Sequence, residues 1–131
     1  MYCDHLLKSW SLTQSVISLS SGEAEYYAIV KGASVGLGLK AMLGELNVDT
    51  DLTLKTDASA AVGISMRRGL GKVRHIDVTQ LWVQEKIAQK VFRICKVNTT
   101  ENLSDALTKG ISQDEMDWHL RKTGQVRMES K

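Results

Sequence analysis

The alternation of apolar and polar residues along the chain predicts strands and helices that follow one another. Residues 12–19 are rich in β-branched side chains and roughly alternate, which predicts a strand, and residues 51–57 and 91–97 predict two more. A long helix is predicted from Ser20 to about Glu45. Its apolar residues recur at helical spacing: Ala24, Ala28, Val35, Leu39, Met42 and Leu46.

Capping residues indicate where helices begin and end. Ser20 with Glu23, and Ser112 with Glu115, have the spacing of a capping box. In this motif the serine accepts a hydrogen bond from the third helical amide, and the glutamate reaches back to the cap amide. Asn47 is suited to end the long helix in the left-handed conformation. Three glycines within that helix predict close packing on a sheet: Gly32, Gly36 and Gly38.

Shorter helices are predicted after the second and third strands. They cover 58–68 and 76–89, with a loop from Gly69 to Arg74 between them, and a short helix capped by Asn102 follows the third strand. A last helix runs through His119. The order of strand, helix, strand, helices, strand and helices predicts an α/β fold in a single domain of residues 1–131. We expect its functional edge where strand ends meet helix starts, and a flexible tail from residue 121.

Composition limits the class of protein more than it identifies a function. The chain has 131 residues, 43% hydrophobic and 24% charged, which is ordinary for one globular domain. Its formal charge of +2 is too small to predict nucleic-acid binding by itself, and its two cysteines form no disulfide framework. No stretch is long and apolar enough to cross a bilayer. We therefore expect an intracellular protein, cytoplasmic or nuclear, without a membrane partner.

Acidic residues lie at predicted helix starts and strand ends. Taken singly, each has an ordinary explanation: Glu25 as a solvated helical residue, Asp57 as the start of a turn or a helix cap, and Asp105 as a charge favoured by the helix dipole. Glu23 is explained by capping. Three of these carboxylates together could instead converge on one cleft and hold hard divalent cations through oxygen ligands.

Four segments together resemble the ribonuclease H domain that closes the polyprotein of copia-type retrotransposons. They are Ser-Leu-Ser-Ser-Gly-Glu-Ala-Glu-Tyr-Tyr-Ala, Lys-Thr-Asp-Ala-Ser-Ala-Ala, Val-Arg-His-Ile-Asp-Val and Asn-Leu-Ser-Asp-Ala-Leu-Thr-Lys. The resemblance covers about residues 8–120. It implies a ribonuclease H-like mixed sheet flanked by helices, with Glu25, Asp57 and Asp105 as catalytic carboxylates and metal ligands. It also implies a two-metal site for Mg²⁺ (or Mn²⁺), hydrolysis of the RNA strand of an RNA/DNA hybrid, and an upstream reverse transcriptase segment as partner.

The sequence departs from the pattern of this family at its start. The family carries its first catalytic aspartate on an opening strand, whereas residues 1–10 match only later strands, and Asp4 is the sole acid before Glu23. We therefore expect the first strand to be missing or incomplete. Loss of one ligand from a coupled metal site predicts impaired hydrolysis.

A basic segment, defined here as residues 67–74, is a second candidate for function. No acid lies between Ala58 and Ile76, and four basic residues could grip the phosphates of a hybrid: Arg67, Arg68, Lys72 and Arg74. His75 lies in a segment that resembles the family, so a catalytic role near the scissile phosphate is one interpretation and a structural role another. Two alternatives to an active nuclease stay open: a non-catalytic nucleic-acid-binding module, and a fragment completed by an upstream strand.

Overall fold

The structure is a computed structural model that describes most of the chain. The described residues are 1–3, 5–14, 17–69, 71, 76 and 80–126. They fall into two compact units, which are described separately. The central unit spans Gln14–Asn98, and the terminal unit combines Met1–Thr13 with Thr99–Lys131.

The central unit contains helices packed on a small parallel sheet. Its elements are helix α1 (Ser21–Glu45), strand β1 (Thr53–Thr56), helix α2 (Ser59–Met66), helix α3 (Trp82–Ala88) and strand β2 (Arg93–Lys96). The strands pair in parallel, from Thr53 opposite Arg93 to Thr56 opposite Lys96. This arrangement is a mixed α/β fold, as predicted. Of the three predicted strands, those at 51–57 and 91–97 are confirmed with shorter bounds.

The two ends of α1 follow from local chemistry. Ser20 Oγ accepts a hydrogen bond from the amide of Glu23 at 3.2 Å, as predicted. The Glu23 carboxylate, however, accepts from the amide of Leu19 at 3.0 Å, one residue before the predicted donor. The helix ends at Glu45, and Asn47 adopts a φ of 58°, the left-handed conformation that stops it. The predicted end of the helix is therefore confirmed.

The buried face of α1 differs from the predicted face. The buried residues are Glu23, Tyr26, Tyr27, Ile29, Val30 and Ala33. Met42 and Leu46, which belong to the apolar series that predicted the helix, are 53% and 67% exposed. The reason is length, because the last turns of the helix have little to pack on: a Cβ placed at Gly38 or Gly44 would meet no atom within 4 Å among the residues described.

The middle of α1 packs closely on the edge of the sheet region. A Cβ at Gly36 would lie 2.8 Å from Leu52 Cδ1, and one at Gly32 would lie 3.8 Å from Leu54 Cδ2. Close packing is thus confirmed for Gly36. At Gly32 the distance is that of an ordinary van der Waals contact, and for Gly38 the prediction is wrong. The core below includes Ala61, Ile64, Ile76, Val83, Phe92 and Ile94, all less than 10% exposed. Apolar burial of this kind is the main favourable term in folding.

Two predicted elements of the central unit differ from the structure. The described residues of 12–19 form no strand, and Ile17 and Leu19 are 91% and 66% exposed. An alternating pattern becomes a strand only beside a hydrogen-bonding neighbour, and here the Gln14 side chain donates instead to the carbonyl of Ala24 at 2.6 Å. Helix α3 begins at Trp82 rather than at Ile76, and α2 ends at Met66 rather than near Arg68.

The terminal unit is built from short elements held by local contacts. These are 3₁₀ turns at Thr99–Glu101 and Asp105–Leu107, followed by helix α4 (Gln113–Lys122). The capping box of Ser112 and Glu115 is confirmed at the start of α4. The predicted cap at Asn102 is wrong: its side chain accepts from the amide of Ser104 at 3.2 Å, which makes a turn before Asp105. Near the other terminus, the amide of Leu6 donates to the carbonyl of Thr123 at 3.1 Å.

Candidate functional site

Glu25 and Asp57 lie near the same edge of the central unit. Asp57 directly follows β1, and Glu25 lies one turn into α1. The first turns of α1 and α2 touch, because a Cβ at Gly22 would lie 3.0 Å from the Cβ of Ala60. Gly22 precedes Glu25 by three residues, and Ala60 follows Asp57 by three. The fold therefore brings the two segments that carry these carboxylates side by side, beyond the end of β1.

Neither carboxylate has a structural partner that explains it. Glu25 is exposed and Asp57 is half-buried, and neither side chain accepts a hydrogen bond from any described residue. The amide of Ala58 donates to Thr56 Oγ1 at 3.2 Å, so the side chain that binds the backbone before α2 is that of Thr56. Asp57 makes no such bond, and the capping explanation for it is wrong. Glu23 likewise provides the capping contact on α1. Both acids are thus left with oxygens to offer a ligand.

Asp105 lies in the terminal unit in a different environment. Its Oδ2 is 2.7 Å from Lys109 Nζ, and its Oδ1 accepts from Asn102 Nδ2 at 3.3 Å. Their spacing of four residues favours such a pair on one helical face. Asp105 lines an open cleft of about 470 Å³ together with Trp118 and His119. Its carboxylate is therefore already neutralised by an internal cation.

The donor atoms suit a hard divalent cation. Carboxylate oxygens are the ligands that Mg²⁺ prefers, and Glu25 and Asp57 both carry them without competing bonds to described residues. Within the described ranges, no three histidine, cysteine, aspartate or glutamate side chains form a group able to hold a metal ion. The chemistry of the donors fits Mg²⁺ or Mn²⁺, and the assignment of metal ligands stays a prediction.

Four residues of the basic segment are described: Arg67, Arg68, Gly69 and Gly71. Lys72 and Arg74 lie outside the described residues, as does His75. Arg68 is exposed, whereas Arg67 is half-buried and its guanidinium packs on Gly71, where a Cβ would lie 2.9 Å from Arg67 Cζ. Gly71 also has a φ of +58°, a conformation that glycine adopts without strain. Glycine at 71 therefore leaves room for the arginine.

Two core residues that the sequence did not single out anchor the chain around this segment. Gln84 is 7% exposed; its Oε1 accepts from the amide of Gly69 at 2.8 Å, and its Nε2 donates to the carbonyls of Ile64 and Gly69 at 2.8 and 3.1 Å. Tyr26 Oη donates to the carbonyl of Gln80 at 2.9 Å. The sequence gives one hint of this role: Gln84 is a polar residue directly after the apolar Val83 in α3.

The electrostatics around Tyr26 connect it to the same segment. Burial raises the pKa of Tyr26 to about 12, and the positive charge of Arg67 acts in the opposite direction. The phenol therefore stays protonated and able to donate its hydrogen bond at neutral pH.

No described helix combines the length and the apolar composition that crossing a bilayer requires.

Comparison with known proteins finds similarity to a retrotransposon protein. The chain is 30% identical over 112 residues, which is 83% of its length, to the retrovirus-related Pol polyprotein from transposon TNT 1-94 of Nicotiana tabacum. It spans only 8% of the length of that relative. No protein-family model matches the chain. No solved structure matches it. The chain is thus a distant homologue of part of a copia-type retrotransposon Pol polyprotein.

Proposed function

From this distant homology we propose that the chain is a ribonuclease H-like segment of a Pol polyprotein that binds RNA/DNA hybrids. Glu25, Asp57 and Asp105 hold divalent cations and support hydrolysis of the RNA strand at a low rate. The relative's name gives no activity, so the proposal rests on the residues of this chain. It extends to the upstream reverse transcriptase segment as a neighbour in the same polyprotein.

The observation that carries the proposal is the position of Glu25 and Asp57. The segments bearing them meet at the contact between Gly22 and Ala60, and both carboxylates lack hydrogen bonds from described residues. Buried polar groups are normally paired, so the half-buried Asp57 is the stronger observation of the two, whereas an exposed glutamate such as Glu25 needs no partner. What supports a ligand site is their shared position at neighbouring helix starts beyond a strand end.

The chemistry follows from these donors. Bound Mg²⁺ or Mn²⁺ would supply a Lewis acid for a phosphodiester and lower the pKa of a water ligand. The Glu25 and Asp57 side chains contribute anionic oxygens without first breaking other contacts. Asp105 must release Lys109 Nζ, 2.7 Å away, before its Oδ2 can bind a cation. That exchange costs free energy, which is one reason to expect weak hydrolysis.

The basic segment contributes binding rather than chemistry. Arg68 is exposed and available to the phosphates of a nucleic acid, and Arg67 adds positive potential beside it. Contacts of this kind read the backbone and the shape of a hybrid rather than its base sequence. A non-catalytic nucleic-acid-binding module is the second candidate function, and the anchored basic segment is the observation that favours it.

The decisive experiment measures cleavage of a labelled RNA/DNA hybrid by the chain with Mg²⁺ or Mn²⁺. Asp57→Asn and Glu25→Gln keep the size of each side chain and remove its charge. Asp49→Asn is the matched control, since Asp49 is an exposed acid outside the candidate site. We expect metal-dependent cleavage that both site variants reduce at least tenfold and the control leaves unchanged.

Binding measured in EDTA separates the two candidate functions. If the chain binds hybrid and no variant or metal produces cleavage, the binding module is correct and the hydrolase proposal is wrong. If cleavage survives in Asp57→Asn at the rate of the unaltered chain, Asp57 is not a ligand and the proposed site is wrong. If the chain neither binds nor cuts, both candidates fail.

A further inference from the structure

Gln84 is a buried polar residue whose side-chain amide binds the backbone of the loop at Gly69. Its side chain makes three hydrogen bonds, to Ile64 O, Gly69 N and Gly69 O, all between 2.8 and 3.1 Å. Gln84 lies on α3, fifteen residues after Gly69 in sequence. An amide has donors and an acceptor, so it can mimic a backbone partner on both sides of one residue.

We propose that Gln84 is a positioning residue for nucleic-acid binding, acting through Arg68. By fixing both the amide and the carbonyl of Gly69, it fixes the peptide groups that join Gly69 to its neighbours. Arg68 is the residue directly before Gly69, it is exposed, and its direction depends on that backbone. The inference rests on the proposed binding of RNA/DNA hybrids and deepens it.

The energetics favour a specific role for this contact. A buried amide costs free energy to desolvate unless its hydrogen bonds are made, so an apolar residue at position 84 would be the simpler choice for a core. Gly69 has a φ of +74° and lies three residues beyond the end of α2 in an exposed turn. With Gln84 in place, the backbone next to Arg68 is fixed before the ligand arrives, which lowers the entropy cost of binding.

The test compares Gln84→Met with Gln89→Met. Methionine is close to glutamine in shape and lacks the amide. Gln89 is an exposed glutamine directly after α3 whose side chain donates to Glu85, so it is the matched control. The probe is a labelled RNA/DNA hybrid in EDTA, with affinity measured over a series of salt concentrations.

We expect Gln84→Met to weaken hybrid binding about fivefold and to lower the slope of log affinity against log salt by about 1, the loss of one phosphate contact. Gln89→Met should change neither quantity. In the background of Arg68→Gln, the further change Gln84→Met should have no effect on affinity, because the contact it acts through is gone. A purely structural role for Gln84 would lower the melting temperature and leave the salt slope unchanged.

A second pair of variants covers the case in which Gln84→Met does not fold. Asparagine tolerates a positive φ and β-branched valine does not, and a Cβ at Gly69 meets no described atom within 4 Å. We therefore expect Gly69→Val to lower the salt slope by about 1, and Gly69→Asn to preserve it. Equal slopes in all folded variants would overturn the positioning role. Failure of the unaltered chain to bind hybrid would overturn the proposed function itself.

Discussion

Different interactions stabilise the inside of the central unit and the inside of the terminal unit. The central unit contains every buried residue of the described part of the chain, among them Tyr26, Val83 and Phe92 at 2% exposure or less. In the terminal unit no described residue is buried, and its order comes from the capping box of Ser112 and from the ion pair of Asp105. Burial contributes far more per residue than exposed caps and ion pairs do.

This difference separates the candidate ligands. Glu25 and Asp57 belong to elements that apolar packing holds in the central unit. Asp105 lies in a short 3₁₀ turn, where its carboxylate contacts Asn102 and Lys109. Local opening costs little free energy where few apolar contacts are made. We therefore expect the surroundings of Asp105 to respond to solution conditions more readily than those of Asp57.

The largest effect is expected when one apolar side chain is removed from each unit. Phe92 is 2% exposed, so Phe92→Ala should lower the free energy of unfolding by about 3–5 kcal/mol through lost burial and a cavity. Leu107, 45% exposed in the terminal unit, is the matched site, and Leu107→Ala should change it by about 0.5 kcal/mol or less. Urea denaturation measures both. Equal losses would show that the terminal unit has a core of its own.

A second test uses pH to detect the buried phenol of the central unit. The pKa of Tyr26 is raised from 10.0 to about 12 on folding, so below pH 10 the phenol is neutral in both states. Between pH 10 and 12 the unfolded chain loses the proton first, and the free energy of unfolding should fall with rising pH by about 2 kcal/mol. Tyr26→Phe should lack this part of the decline.

The control for this titration is Tyr2, a 40% exposed tyrosine at the start of the chain. Tyr2→Phe should keep the full decline between pH 10 and 12. Identical stability profiles for the unaltered chain and Tyr26→Phe would show that the phenol ionises alike in both states.

The smallest expected effect concerns the cap of α4. Ser112→Ala removes the side-chain bond to the amide of Glu115 and should cost about 1 kcal/mol of local stability. Amide exchange should rise along Gln113–Lys122 and stay unchanged in the central unit. Faster exchange throughout the chain would contradict this difference between the two units.

The same cap depends on pH. Hydrogen bonds from the Ser112 amide and hydroxyl hold the pKa of Glu115 below its usual range. The contribution of the Glu115 carboxylate to the stability of the cap is therefore present above that range and is lost as the pH falls.

The features of the fold that local chemistry decides were predictable from the sequence. The start of α1 at Ser20, its stop at Asn47 and the capping box at Ser112 depend on residues within a few positions of each other. The buried face of α1 depends instead on what packs against it, and among the described residues the small sheet gives its last turns little to pack on. The expected strand at 12–19 was wrong over its described residues for the same reason, since pairing needs a partner that local sequence does not specify.

The same distinction applies to the candidate site. Glu25 and Asp57 could be placed at a helix start and a strand end because those boundaries are local signals. The partner of Asp105 was predictable from the spacing of four residues to Lys109. The role of Gln84 was not, because its hydrogen bonds reach back fifteen and twenty residues. Long-range contacts of a neutral side chain leave almost no trace in a single sequence.

The parallel pairing of β1 with β2 also determines the order in which the chain can fold. Thr53 lies opposite Arg93, 40 positions further along, so the pair forms only after a long loop has closed. Individual helices, which need only contacts within a few residues, can form much sooner. We therefore expect the two strands to pair after the individual helices have formed. Asp57, directly after β1, would then reach its final position late in folding.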